Sequence, residues 1–176
     1  GGHAAGEVAS SIAVETIAKT APQSADAARL AAAVEAANAA VIEAALNGLG
    51  KPGMGCTATC AYIENDTLAI AHVGDSRAYL LHEGTLIRVT RDHSYVEELV
   101  DAGEITADEA RVHPNRSVIT RALGSDPAMY ADHFTLHIEE GDRLILCSDG
   151  LSSMIPDSDI ENIATQSSSA QICVDN

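Results

Sequence analysis

Four short stretches rich in β-branched residues follow one another between positions 57 and 90, and they limit most strongly the folds open to this chain. Asn65-Asp66 and Glu83-Gly84 separate two pairs of these stretches by only two residues each. Two residues suffice for a hairpin, whereas parallel strands need crossover connections of about a dozen residues or more. The pattern therefore predicts an antiparallel meander. Its strands are predicted at Thr57–Ile63, Thr67–Val73, Arg77–His82 and Thr85–Thr90.

Helical patterns lie on both sides of these strands. The Ala-rich first third predicts a helix from Ala4 to Lys19 and a second helix with Ser24 as its N-cap. Two further strands are predicted at Phe134–Ile138 and Arg143–Ser148, followed by a helix that Pro156 opens. Helices with an antiparallel sheet indicate an α+β protein.

Composition narrows the class of protein further. The 176 residues suit one domain, and 10 Lys+Arg against 26 Asp+Glu give a net charge of −16. A chain this acidic offers no basic surface for nucleic acid.

No apolar run approaches the length of about 18 residues that spans a membrane, and Gly1-Gly2-His3 shows no feature of a targeting segment. The four cysteines are expected to be free thiols in a reducing cytosol.

Two aspartates stand out because each is flanked by glycine beside an apolar strand. Asp75 lies in Val73-Gly74-Asp75-Ser76-Arg77, and Asp149 lies in Leu146-Cys147-Ser148-Asp149-Gly150-Leu151. Carboxylates in open turns suit the hard cations Mg²⁺ and Mn²⁺. Aspartate also caps turns through its own backbone, and spacing alone favours that structural reading for both residues.

Other residue types give weaker signals. The sequence has no H-E-x-x-H motif and no His/Cys cluster, so a zinc site is disfavoured. No G-x-S-x-G surrounds a serine, so a serine hydrolase is disfavoured as well. Lone histidines such as His72 are expected to be structural. Arg77 and Arg121 are candidates for phosphate contacts, but in so acidic a chain we expect them to pair with carboxylates.

Several stretches taken together are more specific than any of them alone. They are Gly1–Ser10, Gly53–Thr59, Gly74–Leu80, Thr90–Ser94, Glu104–Thr106, His113–Ser117, Thr120–Gly124 and Cys147–Leu151. In this order they resemble the bacterial branch of the protein phosphatase 2C family, the metal-dependent Ser/Thr phosphatases. The resemblance covers nearly the whole chain.

The resemblance implies a fold, an activity and a set of site residues. The fold would be an antiparallel β-sandwich flanked by helices in an αββα order. The site would hold two core Mn²⁺ or Mg²⁺ ions, with a third ion nearby, and a metal-activated water would attack the phosphorus. Asp149 would be a ligand of a core metal and, with Asp75, of the third. His3 is a candidate general acid, and residues 91–124 would form a flap in which Ser117 approaches the third metal through water.

The chain also departs from the family pattern at both ends. It begins after the Asp-Gly of the opening metal motif and ends before the closing Asp-Asn motif. We therefore expect residues 1–176 to be a single partial domain, incomplete at both termini and inactive or weak alone, with open sheet edges that favour self-association.

The expected partners are phosphorylated proteins, including Ser/Thr kinases and their substrates. The alternative is a non-catalytic phosphatase-like module that binds phosphoproteins or a regulator. The expected location is the cytoplasm, and the sequence leaves open a membrane anchor beyond residue 176.

Overall fold

A computed structural model describes residues 5–176, and its helices and strands fall into two compact units. The first unit comprises the residues up to Asp75 together with Asp92–Ile138. The second comprises Ser76–Arg91 and Glu139–Asn176. The helices are α1 Gly6–Thr20, α2 Ala27–Leu46, α3 Tyr95–Asp101, α4 Ala107–Val112, α5 Asp149–Ser152, α6 Asp157–Gln166 and α7 Ala170–Asp175. The strands are β1 Ala58–Glu64, β2 Thr67–Val73, β3 Arg77–His82, β4 Thr85–Arg88, β5 Asp132–His137 and β6 Arg143–Cys147.

The first unit packs helices on an antiparallel sheet of order β1-β2-β5. Helix α2 contacts both α1 and the sheet. The core between them is built largely from small side chains, which allow helix and sheet to approach closely. Its fully buried members include Ala9, Val34, Ala37, Val41, Ala69, Ala71 and Val73.

The second unit contains an antiparallel sheet of order β4-β3-β6, and α6 contacts β3 and β4. The Glu161 carboxylate of α6 accepts a hydrogen bond from the Leu86 N–H of β4 at 2.8 Å. At the C-terminal end of α6, Arg143 Nη1 donates to the carbonyls of Ala164 and Ser167, at 2.8 and 2.6 Å. These contacts satisfy carbonyls that the end of a helix leaves unpaired.

The predicted α+β class and all six predicted strands are confirmed, but the meander is wrong. Strand β2 pairs with β1 and β5, and strand β3 pairs with β4 and β6, so the two hairpins belong to different sheets. The connection at Gly74 does not form a hairpin turn, because its N–H and carbonyl are both hydrogen-bonded to His93.

The predicted N-cap of α2 is also wrong. The cap is Asp26, whose Oδ1 accepts a hydrogen bond from the Arg29 N–H at 3.0 Å, and not Ser24. Helix α6 begins after Pro156, as predicted. All four cysteines are free. Among residues 5–176, the helices are too short or too polar to cross a membrane.

Candidate functional site

The turn that carries Asp75 in the first unit is fixed at the residue before it. Gly74 has φ +108°, and a Cβ there would lie 2.3 Å from Thr57 Cγ2. The Gly74 N–H donates to His93 Nδ1 at 3.0 Å, and the His93 N–H donates to the Gly74 carbonyl at 2.8 Å. Both the N–H and the carbonyl of Gly74 are therefore hydrogen-bonded to His93. These bonds fix the backbone conformation immediately before Asp75, which is half-buried.

His93 connects this turn to β5. Its side chain is only 7% exposed, and Nε2 lies 2.8 Å from Asp132 Oδ2. Because Nδ1 accepts from Gly74, the ring proton is placed on Nε2, which donates to Asp132. The ring also lies 4.9 Å from that of His72, centroid to centroid, and His72 Nδ1 is 3.0 Å from Thr59 Oγ1.

Asp132 extends the network to Arg121. The Arg121 Nη1 group donates to Asp132 Oδ1 at 2.7 Å, and its guanidinium lies 4.2 Å above the ring of Tyr130. Burial acts to raise the pKa of Asp132, but the hydrogen bonds from His93 and Arg121 outweigh it and hold the pKa below its ordinary value. The expectation that Arg121 pairs with a carboxylate is confirmed.

Asp149 lies in the second unit, where β6 ends. Ser148 is the N-cap of the short helix α5, and its Oγ accepts from the Gly150 N–H at 3.3 Å. Asp149 is the first residue of that helix and is exposed. Its carboxylate is therefore accessible to a cation from solvent.

Arg77 is held within the second unit. Its Nη1 donates to Tyr79 Oη at 3.0 Å and lies 3.7 Å from Asp157 Oδ1, and Tyr79 Oη donates to the same oxygen at 2.8 Å. Burial is the main cause that raises the pKa of Tyr79 to about 12, so the phenol stays protonated as a donor. The predicted carboxylate pairing of Arg77 is confirmed.

The remaining predicted site residues are Ser117 and His3. Ser117 is exposed in a segment that the neighbouring backbone holds, because the Tyr95 N–H donates to Val118 O and the Thr120 N–H donates to His93 O. His3 lies outside the described residues. His93 was not among the predicted site residues, because nothing in its local sequence pattern indicates burial.

Comparison with known proteins identifies the class. Residues 1–174 match the model of the family described as protein phosphatase 2C. The chain belongs to the protein phosphatase 2C family, which is metal-dependent.

Two curated relatives illustrate the match. The chain is 38% identical over 170 residues to the serine/threonine phosphatase stp of Listeria welshimeri, covering 93% of this chain and 68% of the relative. It is 42% identical over 166 residues to the serine/threonine protein phosphatase PstP of Mycobacterium tuberculosis, covering 91% of this chain but only 32% of the relative.

Solved structures agree with the family and the fold class. A crystal structure of the Mycobacterium tuberculosis serine/threonine phosphatase PstP/Ppp superposes with a TM-score of 0.89 at 38% identity, covering 99% of this chain and 77% of that one. A crystal structure of the PstP catalytic domain in complex with two manganese ions gives a TM-score of 0.86 at 36% identity, covering 99% and 74%. The resemblance predicted from the sequence is therefore confirmed.

Proposed function

We propose that this chain provides the catalytic fold for hydrolysis of phosphoserine and phosphothreonine on proteins, in opposition to Ser/Thr kinases. The observation that carries the proposal is the family match across residues 1–174, which includes the turns of both candidate aspartates. Relatives named serine/threonine phosphatases support the substrate class. A cytoplasmic location and association with phosphorylated kinases belong to the same proposal.

Asp75 and Asp149 are the proposed metal-binding residues, each considered within its own unit. Both present carboxylate oxygens, the donors that Mn²⁺ and Mg²⁺ prefer, so the donor chemistry fits. The manganese-bound relative favours Mn²⁺ as the first ion to test. When bound, such cations supply Lewis acidity that stabilises the negative charge developing in phosphoryl transfer.

The chain's own residues have distinct proposed tasks. Asp149, exposed at the start of α5, binds a cation directly. Asp75 binds from a turn whose preceding residue is clamped by His93, so little ordering is needed when the ion arrives. His3 donates a proton to the leaving oxygen. Ser117 approaches a third metal through water.

The experiment measures phosphate release from a phosphothreonine peptide by the full-length natural protein with and without Mn²⁺. We expect Mn²⁺-dependent release, and we expect Asp149→Asn to abolish it. Asp159→Asn is the matched control, because Asp159 is an exposed aspartate in the first turn of α6. Calorimetric titration with Mn²⁺ should show weaker binding in Asp149→Asn and Asp75→Asn but not in the control.

Two outcomes would contradict parts of the proposal. Peptide binding without phosphate release under all metal conditions would favour the non-catalytic module. Release that survives Asp149→Asn would remove that residue from the site. A phosphatase assay of residues 1–176 alone tests the separate expectation that this stretch is inactive or weak by itself. Analytical sedimentation of the same stretch tests self-association through the open sheet edges.

A further inference from the structure

Three ligand-type side chains meet at one end of the sheet in the second unit, on two different turns. His82 and Glu83 lie at the β3–β4 hairpin, and Glu139 lies in the turn that precedes β6. The register that pairs Leu81 with Arg143 brings the two turns together. His82 Nε2 lies 3.9 Å from Glu83 Oε2 and 3.9 Å from Glu139 Oε2. One donor atom from each residue lies within 4.8 Å of the other two.

A fourth residue, Asp142, orients this group. Asp142 is only 8% exposed, and its Oδ1 lies 2.6 Å from His82 Nδ1. Its Oδ2 accepts from the Glu139 N–H at 2.9 Å, so one buried carboxylate fixes both the imidazole and the turn that carries Glu139. A carboxylate on Nδ1 favours the proton there, which leaves Nε2, the nitrogen that faces the two glutamates, as the atom that would bind a metal. This is the arrangement by which proteins present an imidazole to a metal.

The three donor atoms lie close enough together for a single ion to contact all of them. We propose that His82, Glu83 and Glu139 bind a divalent transition-metal cation, for which Zn²⁺ is the probe. Two sides of the triangle of donor atoms are 3.9 Å and the third is at most 4.8 Å, so a central ion would lie at most about 2.5 Å from each donor atom. Zn²⁺ contacts nitrogen and carboxylate oxygen at about 2.0–2.2 Å. Glu83 and Glu139 are 83% and 57% exposed, so both can close the remaining gap.

The imidazole decides which cation class this site takes. Mg²⁺ and Ca²⁺ prefer all-oxygen sets, whereas imidazole nitrogen favours the later first-row metals. Two glutamates and a neutral histidine balance the charge of one divalent ion, and water completes the coordination.

The proposed cation site is separate from the residues proposed for phosphatase chemistry. Glu139 and Asp142 precede β6, and Asp149 follows it. Strand β6 has five residues and is therefore about 16 Å long. The two sites lie at opposite ends of the strand, and failure of one proposal leaves the other standing.

The test is a Zn²⁺ titration of the chain followed by NMR of the histidine ring nitrogens. We expect the His82 signals to move to those of a ring with metal on Nε2 and the proton on Nδ1, while the exposed His137 does not follow. His82→Gln and the double change Glu83→Gln with Glu139→Gln should each weaken this site at least about tenfold. The matched control is Glu140→Gln, because Glu140 is exposed in the same turn and lies outside the donor set.

The double variant keeps the test decisive if His82→Gln disturbs folding, because it leaves the His82–Asp142 hydrogen bond intact. Circular dichroism checks that each variant is folded. The proposal is overturned if His82 ring signals stay unmoved through millimolar Zn²⁺. It is also overturned if the double variant and Glu140→Gln respond to Zn²⁺ alike.

Discussion

Replacing His93 is the sharpest test of how the Asp75 turn is held. In His93→Ala the buried Gly74 N–H loses its acceptor, which costs about 1–3 kcal/mol. Truncating a side chain that is 7% exposed adds a cavity cost of about 1 kcal/mol. We therefore expect His93→Ala to lower the free energy of unfolding of the first unit by about 2–4 kcal/mol.

A conservative replacement separates the two hydrogen bonds of the ring. In His93→Asn the amide oxygen can take the place of Nδ1 and accept from Gly74, but the side chain is too short to reach Asp132. The expected loss is therefore about 1–2 kcal/mol, roughly half that of the alanine variant. Asp132→Asn should cost about 1 kcal/mol or less, because this carboxylate is 38% exposed and solvent screens its interactions.

The stabilisation of the folded state that Asp132 contributes depends on pH. The folded pKa of Asp132 is lower than the ordinary value of 3.8, so the stabilisation is present above that value. It is lost as the pH falls from 3.8 through the lower folded pKa. Wild type and Asp132→Asn should therefore differ at neutral pH and converge in acid.

Urea unfolding followed by far-ultraviolet circular dichroism measures these losses in a chain without tryptophan. Exchange of the Gly74 amide proton reports the clamp directly: it should speed up in His93→Ala and slow again in His93→Asn. His133→Ala is the control, because His133 is exposed on the neighbouring strand β5 and should change stability by no more than about 0.5 kcal/mol. Equal Gly74 exchange in the alanine and asparagine variants would refute the reasoning.

Three further predictions concern Gly74, Tyr79 and Cys60. Gly74→Ala should cost about 2–4 kcal/mol in urea unfolding, because backbone strain at φ +108° adds to a clash with Thr57. Gly48→Ala is the control, because Gly48 has φ +81° but nothing within 4 Å of an added Cβ, so only backbone strain should lower its stability. An equal loss of stability in the two variants would contradict the clash with Thr57. Tyr79→Phe should cost about 1 kcal/mol in thermal unfolding, because the hydroxyl's two partly buried hydrogen bonds are lost; an unchanged midpoint would argue against them. Burial raises the pKa of Cys60 to about 11, so only about one thiolate in a thousand exists at pH 8. Alkylation measured by mass spectrometry should be slow there and accelerate in urea; fast labelling of the folded chain would contradict this.

The sequence predicted local structure well because local rules control it. The two-residue connection before Thr85 and the proline before α6 each allow few conformations, and both elements form where expected. Sheet partners were harder to predict. Strand β2 pairs with β5, about sixty residues further along the chain, and no local pattern encodes that register.

The candidate site residues likewise divide into those that the local sequence pattern points to and those that only the folded structure brings together. Asp75 and Asp149 became candidates because their glycine-flanked turns are part of the stretches that resemble the family, and their metal-binding role stays a prediction. His93 was missed because its role depends on Gly74 and Asp132, which lie far from it in sequence. The group around His82 was missed because its donors come from two turns that only the pairing of β3 with β6 brings together.

Three arginines are bound to other groups of this chain, and this affects how substrates approach it. They are Arg77, Arg121 and Arg143. The guanidinium groups of Arg77 and Arg121 contact carboxylates, and that of Arg143 contacts helix carbonyls, so their positive charge is largely offset by neighbouring groups. With 10 basic residues against 26 acidic ones, the chain should repel acidic phosphorylated proteins and slow their approach. Added salt screens that repulsion, so encounter should become faster as ionic strength rises. Phosphorylation sites flanked by lysine or arginine should therefore be the ones this chain meets most readily.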